Sequence, residues 1–276
     1  MTGATPHGWS LWRRQIIVLA KQEIGRSLFS KRALPIYLLA AMPVGLALLR
    51  AVFLPESQRD HPTHTTTEFA EIFHFFILRF VIFFAAATLF VKLFRGEILE
   101  RSLHYHLLAP VRRKVLAAGK YAGGLVSSSL ALCATVAATW LLFYLAHGSD
   151  GLAHMLSASG IKELAAYLFI TVLACAAYGA LFLLAGLFFK NPMVPAVLFL
   201  GWEVLTPFLP GFLKVLSVVH YLGSIEPVPI SQGPFALMAQ PVPGWLAVLA
   251  LLAISAGLLA LAAWKTRGLE ITYSTE

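Results

Sequence analysis

Apolar residues gather into six long runs separated by short polar segments: Ala33–Leu54, Ile72–Phe94, Tyr121–Ala146, Leu164–Phe189, Met193–Leu209 and Trp245–Trp264. Crossing the hydrocarbon core of a bilayer takes about 20 mainly apolar residues at helical rise. The pattern therefore predicts an all-α integral membrane chain with six transmembrane helices. The fifth run departs from the others. It is short, holds Glu203 and ends at Pro207 and Pro210, so a kinked or half-buried helix fits it as well as a clean span does.

Ahead of the first run, Trp9, Trp12, Ile16, Leu19, Ala20, Ile24 and Leu28 recur near the helical period. They predict an amphipathic helix within residues 1–32, lying in the membrane interface or else packed on the rest of the protein. Leu11 and Val18 fall outside the stripe. Between the fourth and fifth runs, Lys190-Asn191-Pro192 reads as a tight turn, because the residue before a proline leaves helical geometry. The stretch 208–244 is interrupted by Pro210, Pro227, Pro229, Pro234, Pro241 and Pro243, each costing about 3 kcal/mol inside a helix. Its patches Phe212–Val219 and Phe235–Met238 are nonetheless too apolar for a loop in water. Two short helices re-entering the outer leaflet satisfy both constraints. The chain, 1–276, is expected to form a single transmembrane domain.

Composition agrees with the pattern. Charged residues make up 12% and hydrophobic ones 59%, against roughly 25% charged in soluble domains. Positive charge near span ends stays on the cytoplasmic side. Of the 21 Lys and Arg, only Arg50, Arg59, Lys162 and Lys214 fall in outer segments, and Arg79 alone lies within a span, if the N-terminus is cytoplasmic. The expectation is a multi-pass protein of the cell's inner (plasma) membrane with both termini in the cytoplasm and no removable leader. Anionic lipid accounts for the net charge of +8; no aromatic-basic groove for nucleic acid is visible. Cys133 and Cys175 lie in apolar runs outside any CxxC pair and read as small core residues. His61 and His64 lack a third ligand fixed by spacing, so no metal is assigned.

Two features carry chemistry. Arg79 and Glu203 are ionisable groups inside apolar runs, where charge is expensive and usually paired. Arg79 lies about 10 Å into a descending span and Glu203 about 15 Å up an ascending one at 1.5 Å per residue, which predicts an ion pair between the second and fifth spans. Within the outer stretch, His220 and Glu226 are the candidates for an outer gate. The other feature is the charged segment 95–114 between the second and third spans. Glu97 and Glu100 stand near the start of a predicted helix and Arg112, Arg113 and Lys114 beyond its end, complementing its dipole. The spacings Gly119/Gly123, Ser127/Ala131 and Gly179/Gly186 allow close helix contact.

The run Gly96-Glu97-Ile98-Leu99-Glu100 to Leu108-Ala109-Pro110-Val111-Arg112-Arg113, followed by Gly119-Lys120-Tyr121, resembles the inner segment of the membrane subunits of type-2 ABC transporters. The N-terminal helix, the six spans and the irregular outer stretch extend that resemblance over nearly the whole chain. It implies a permease that works as a dimer, with a second copy or a related chain, and exports its substrate by alternating access. It also implies that 95–114 is a coupling helix docking on a separate ATPase through Glu97, Glu100, Arg101, His104, Arg112 and Arg113. ATP and Mg would belong to that partner. This chain has no GxxxxGK followed by Ser or Thr, so it is not expected to be an enzyme, and no cofactor is assigned to it. Phenylalanines in the second run suggest an apolar or amphipathic substrate. The rival readings are an integral-membrane lipid-modifying enzyme, which would need acid-base or metal constellations, and an ion-coupled secondary transporter. The latter would need several intramembrane carboxylates.

Overall fold

The computed structural model describes residues 8–30, 33–53, 62–99, 113–189, 193–230 and 242–266. Among these the chain is helical throughout, with turns and no strand. The elements are α1 (Gly8–Phe29), α2 (Leu34–Phe53), α3 (Pro62–Glu71), a π-helical segment (Ile72–Ile82), α4 (Phe83–Leu99), α5 (Arg113–Leu145) and α6 (Gly148–Leu156). They continue with α7 (Ala158–Phe188), α8 (Met193–Leu205), a 3₁₀ turn (Thr206–Phe208), α9 (Gly211–Lys214), α10 (Val218–Gly223) and α11 (Gly244–Lys265).

Among the described residues five helices are long and apolar enough to cross a membrane: Leu34–Phe53, Thr65–Leu93, Lys114–Leu145, Ala158–Phe188 and Gly244–Lys265. The chain is a multi-pass, all-α membrane protein. The fifth expected span is the exception. Its helix, α8, has 13 residues, about 20 Å at helical rise against a core of about 30 Å. The helix stops where Pro207 takes the first turn of the 3₁₀ segment and where the Glu203 carboxylate is occupied by other backbone amides, described below. The spans α4 and α5 also begin or end in polar residues: helix extends to Leu99 in the one and starts at Arg113 in the other. A polar turn at a span end is invisible to an apolar-run criterion.

Burial ranks the spans. Thr65–Leu93 and Ala158–Phe188 are each 67% buried over their most apolar stretch, against 17% for Leu34–Phe53 and 22% for Gly244–Lys265, so the second and fourth spans form the centre. Between like-apolar helices and lipid tails there is little hydrophobic driving force, and close packing has to hold the bundle. The glycines supply it. A Cβ on Gly179 of α7 would lie 2.5 Å from the Phe90 ring of α4, and one on Gly186 would lie 3.0 Å from the Val91 carbonyl oxygen. Aromatic side chains fill the remaining space: Phe69, Phe73, Phe143 and Tyr167 interlock around one point, and Phe83 packs edge-on to Tyr178 and Phe182 at another.

The two ends of the bundle differ. At one end, here the basic end, α1 lies along the first turns of α5. A Cβ on Gly119 would sit 2.7 Å from Leu19 Cβ, and one on Gly123 would sit 2.7 Å from Glu23 Cβ and 2.8 Å from the Ala20 carbonyl. The buried Lys120 ammonium donates to the Leu93 carbonyl at 2.9 Å and lies 3.7 Å from Glu23, joining α1, α4 and α5. The stripe expected on α1 is therefore its protein-facing side: Ile16, Leu19 and Ala20 are half-buried, while Leu11, Ile17 and Val18 are exposed. At the far end, Arg50 of α2 pairs with Glu68 of α3 and lies over the Phe143 ring. The return from α5 to α6 passes through Gly148 at φ 62°, a left-handed conformation that glycine adopts without a Cβ penalty.

The two helices α9 and α10 fall within the expected re-entrant stretch 208–244, in and just beyond its first apolar patch. The second patch, Phe235–Met238, lies outside the described residues.

Candidate functional site

The π-helical segment places the chemistry. A π turn closes on the fifth residue instead of the fourth, so His74 and Arg79 fall one above the other on a single face. Their side chains meet, with Arg79 Nη2 3.1 Å from His74 Nε2. The Phe75 ring backs the guanidinium, its centroid 5.2 Å from the Arg79 Cζ, an arrangement that favours a cation through the ring quadrupole. An ordinary α-helical register would have set His74 and Arg79 on different faces, which is why sequence spacing alone did not join them.

Two carboxylates reach this face from the other side of the bundle. Glu226, in the irregular stretch after α10, approaches His74 Nδ1 at 2.8 Å with both side chains buried, 0% exposed for His74 and 2% for Glu226. Glu203 of α8 accepts from the amides of Val218 and Val219 at 2.9 and 3.3 Å and from the Ser217 hydroxyl. Ser217 in turn accepts from the His220 amide as the N-cap of α10, so a single carboxylate and a single hydroxyl together satisfy the first turn of that helix. Glu203 and Glu226 both act on Arg79 electrostatically, and all four groups are buried.

The expected ion pair between Arg79 and Glu203 is thus replaced by something wider. The two residues belong to one buried network, but the direct partner of Arg79 is His74, and the direct partners of Glu203 belong to the α9–α10 cap. The reason is local: the unbonded amides opening α10 compete for the carboxylate, and they lie closer than the guanidinium does. Of the two outer-gate candidates, Glu226 is part of the network. His220 is not bonded to it through its ring; the imidazole is half-buried beside Tyr221. Burial and the charge of Lys214 hold His220 below the usual histidine range. Burial pushes the Glu226 carboxyl above the usual carboxylate range, against the His74 hydrogen bond and the positive charge beside it. The Arg79 Nε and the Tyr178 hydroxyl, both buried, have no hydrogen-bond partner among the described residues.

A second polar cluster closes the far end of the bundle. Glu163 of α7 accepts from Trp140 Nε1 at 3.2 Å and from the Tyr144 hydroxyl at 3.1 Å, and lies 3.2 Å from His154 Nε2. His154 stacks on Tyr144 with centroids 4.6 Å apart. The neighbouring Thr65 and Thr66 reach His147 and Tyr144 at 2.6 and 3.1 Å. None of these residues is a candidate from the sequence; the signal was Glu163, an acidic residue directly ahead of an apolar run.

The proposed docking residues Glu100, Arg101, His104 and Arg112 lie outside the described residues. The backbones of Glu97 and Arg113 are helical, at the end of α4 and the start of α5, and their side chains lie outside the description. Among the described residues no three His, Cys, Asp or Glu side chains come together as metal ligands. No protein-family model matches the chain, and no curated protein matches it.

Proposed function

We propose that this chain is the membrane (permease) subunit of an ATP-driven exporter, with the segment 95–114 docking on separate ATPase subunits and a second permease copy or a related chain completing the path. The observation that supports it is the construction of the basic end. Helix α4 runs on past its apolar part to Leu99, and α5 resumes as helix from Arg113. Beside them, α1 is clamped to α5 through Gly119 and Gly123 and tied to α4 through Lys120. A load applied to the connection between α4 and α5 would reach the second and third spans directly along their helices. The basic end is then cytoplasmic, and the exposed apolar side of α1 lies in the interface.

A second reading has one specific observation in its favour. Glu203 is not the lone buried carboxylate near Arg79: Glu226 reaches His74, which in turn meets Arg79, and buried ionisable groups of this kind are what an ion-coupled secondary transporter requires. One experiment separates the two. The chain is purified under mild conditions with whatever co-purifies, reconstituted, and assayed for ATP hydrolysis and for substrate flux with and without an ion gradient. Hydrolysis by a bound subunit, stimulated in the complex, supports the permease. Gradient-driven flux with no ATPase partner would replace that reading with the secondary transporter.

A further inference from the structure

Of the two carboxylates in the buried network, only one has the donors to remain ionised. Arg79 carries donors alone and keeps its charge, so its contact with His74 at 3.1 Å makes Nε2 of the imidazole an acceptor. The ring proton then sits on Nδ1, and the 2.8 Å contact with Glu226 is an Nδ1–H donated to Oε1. His74 is neutral in this arrangement. Glu203 receives three hydrogen bonds, donors that favour its ionised form and oppose the burial that pushes its carboxyl above the usual range. One guanidinium balances one carboxylate. Glu226, with a single donor and a side chain 2% exposed, is left as an uncompensated buried anion unless it carries a proton.

We propose that Glu226 is a proton-binding site, occupied while residues 224–230 are docked on His74 and vacated when that segment leaves it. On vacating, the Glu226 O–H bond breaks, the proton passes to water and the carboxylate keeps the charge, which water solvates. The groups facing the site are known from each packed element. The π segment contributes His74 and Arg79, which act on Glu226, and α7 contributes Tyr167, which feels its charge; Tyr178 of α7 and Glu203 of α8 face Arg79. On the adjoining short helices, the charge of Lys214 bears on His220. Among the described residues Arg79 is the one permanent cation acting on Glu226, and it already faces Glu203, so a proton is the species that restores neutrality. The burial that raises the Glu226 carboxyl acts in the same direction. The site requires no ATPase and is independent of the permease reading.

The test uses the full chain in phosphatidylcholine vesicles and infrared difference spectra between neutral and alkaline pH. The wild type is expected to show the carbonyl band of a protonated carboxylic acid at neutral pH and to lose it on alkalinisation. That band should be absent from Glu226→Gln and present in Glu203→Gln. A wild-type protein with no protonated carboxyl at neutral pH overturns the proposal without any variant, and so does a band that survives Glu226→Gln. Docking is read separately with Ser224→Cys and a soluble thiol reagent. Labelling should speed up several-fold at alkaline pH in the otherwise wild-type chain and stay flat when Glu226→Gln is added. Equal pH profiles in the two backgrounds would overturn the link between the proton and the docked segment.

Discussion

A buried carboxylate in this protein behaves according to how many donors aim at it, and three glutamates form a graded series. Among the described residues Glu203 takes three hydrogen bonds, Glu163 is met by Trp140, Tyr144 and His154, and Glu226 is met by His74 alone. Truncating a well-donated carboxylate strands its donors, at about 1–3 kcal/mol for a buried unsatisfied group. Glu163→Ala should accordingly lower stability by about 3 kcal/mol, whereas Glu163→Gln keeps an acceptor and should cost about 1 kcal/mol. Thermal unfolding in bicelles measures both, and equal losses would show that the hydrogen bonds are not what holds this corner. Glu226 makes the opposite prediction. Burial holds its carboxyl above the usual range, so over the window just above the ordinary carboxylate value the native state binds more protons than the unfolded chain. Stability then falls as pH rises through the raised native value. A thermal midpoint that declines on alkalinisation in the wild type and not in Glu226→Gln is the expected result; a midpoint that rises over the same window would reverse the sign.

Elements are joined here by missing side chains as much as by present ones. The contact between α1 and α5 is closest at Gly123, where an added Cβ would meet both Glu23 Cβ and the Ala20 carbonyl inside 3 Å, and a backbone atom has no rotamer with which to move aside. Gly123→Leu should therefore push α1 off α5, at the 1–3 kcal/mol typical of overpacking, and expose the basic residues of α1 to trypsin. Gly257 of α11 has nothing within 4 Å of an added Cβ, and Gly257→Ala should be neutral or raise stability by up to about 1 kcal/mol. A protease pattern unchanged in Gly123→Leu would mean that α1 is held elsewhere. The spacing Gly119/Gly123 and the stripe on α1 were both legible in the sequence, because period and residue size are local properties. What was not legible is that they face each other. The π register of 72–82 was hidden for a related reason: no residue in Ile72-Phe73-His74-Phe75-Phe76-Ile77-Leu78-Arg79 demands a wider turn, and its effect, setting His74 over Arg79, emerges only once the helix is packed.

At the scale of the whole molecule, the apolar runs yielded the class and the five long apolar helices among the described residues, each to within one residue at its C-terminal end, since the bilayer imposes a length that composition must meet. At Met193–Leu209 the helix is shorter than the other runs' helices and Glu203 serves the α10 cap, in keeping with the kinked or half-buried helix that this run also allowed. The runs said nothing of Glu226, which is ordinary in sequence and buried only because the chain after α10 folds back over the π segment. The charge asymmetry of the ends carries the remaining inference. Helix α4 leaves the apolar region at the end where Lys120 ties it to α1 and α5, and the backbone of Glu97 lies on its last turn; in the sequence, Glu97 and Glu100 stand on the connection from α4 to α5. If an ATPase docks there, reversing Glu97 and Glu100 together to lysine removes the acidic feature while leaving the packed spans and their glycine contacts untouched. Charges at a docking rim chiefly set association and its salt dependence. The double variant should thus insert and unfold like the wild type, retain less ATPase on co-purification, and show the larger deficit in partner-dependent transport at low salt. Reconstitution with an excess of the partner should recover part of the transport. Full binding and full transport in the double variant, at low and high salt alike, would remove the segment 95–114 as the docking element and leave the buried network at His74 as the stronger guide to what drives this protein.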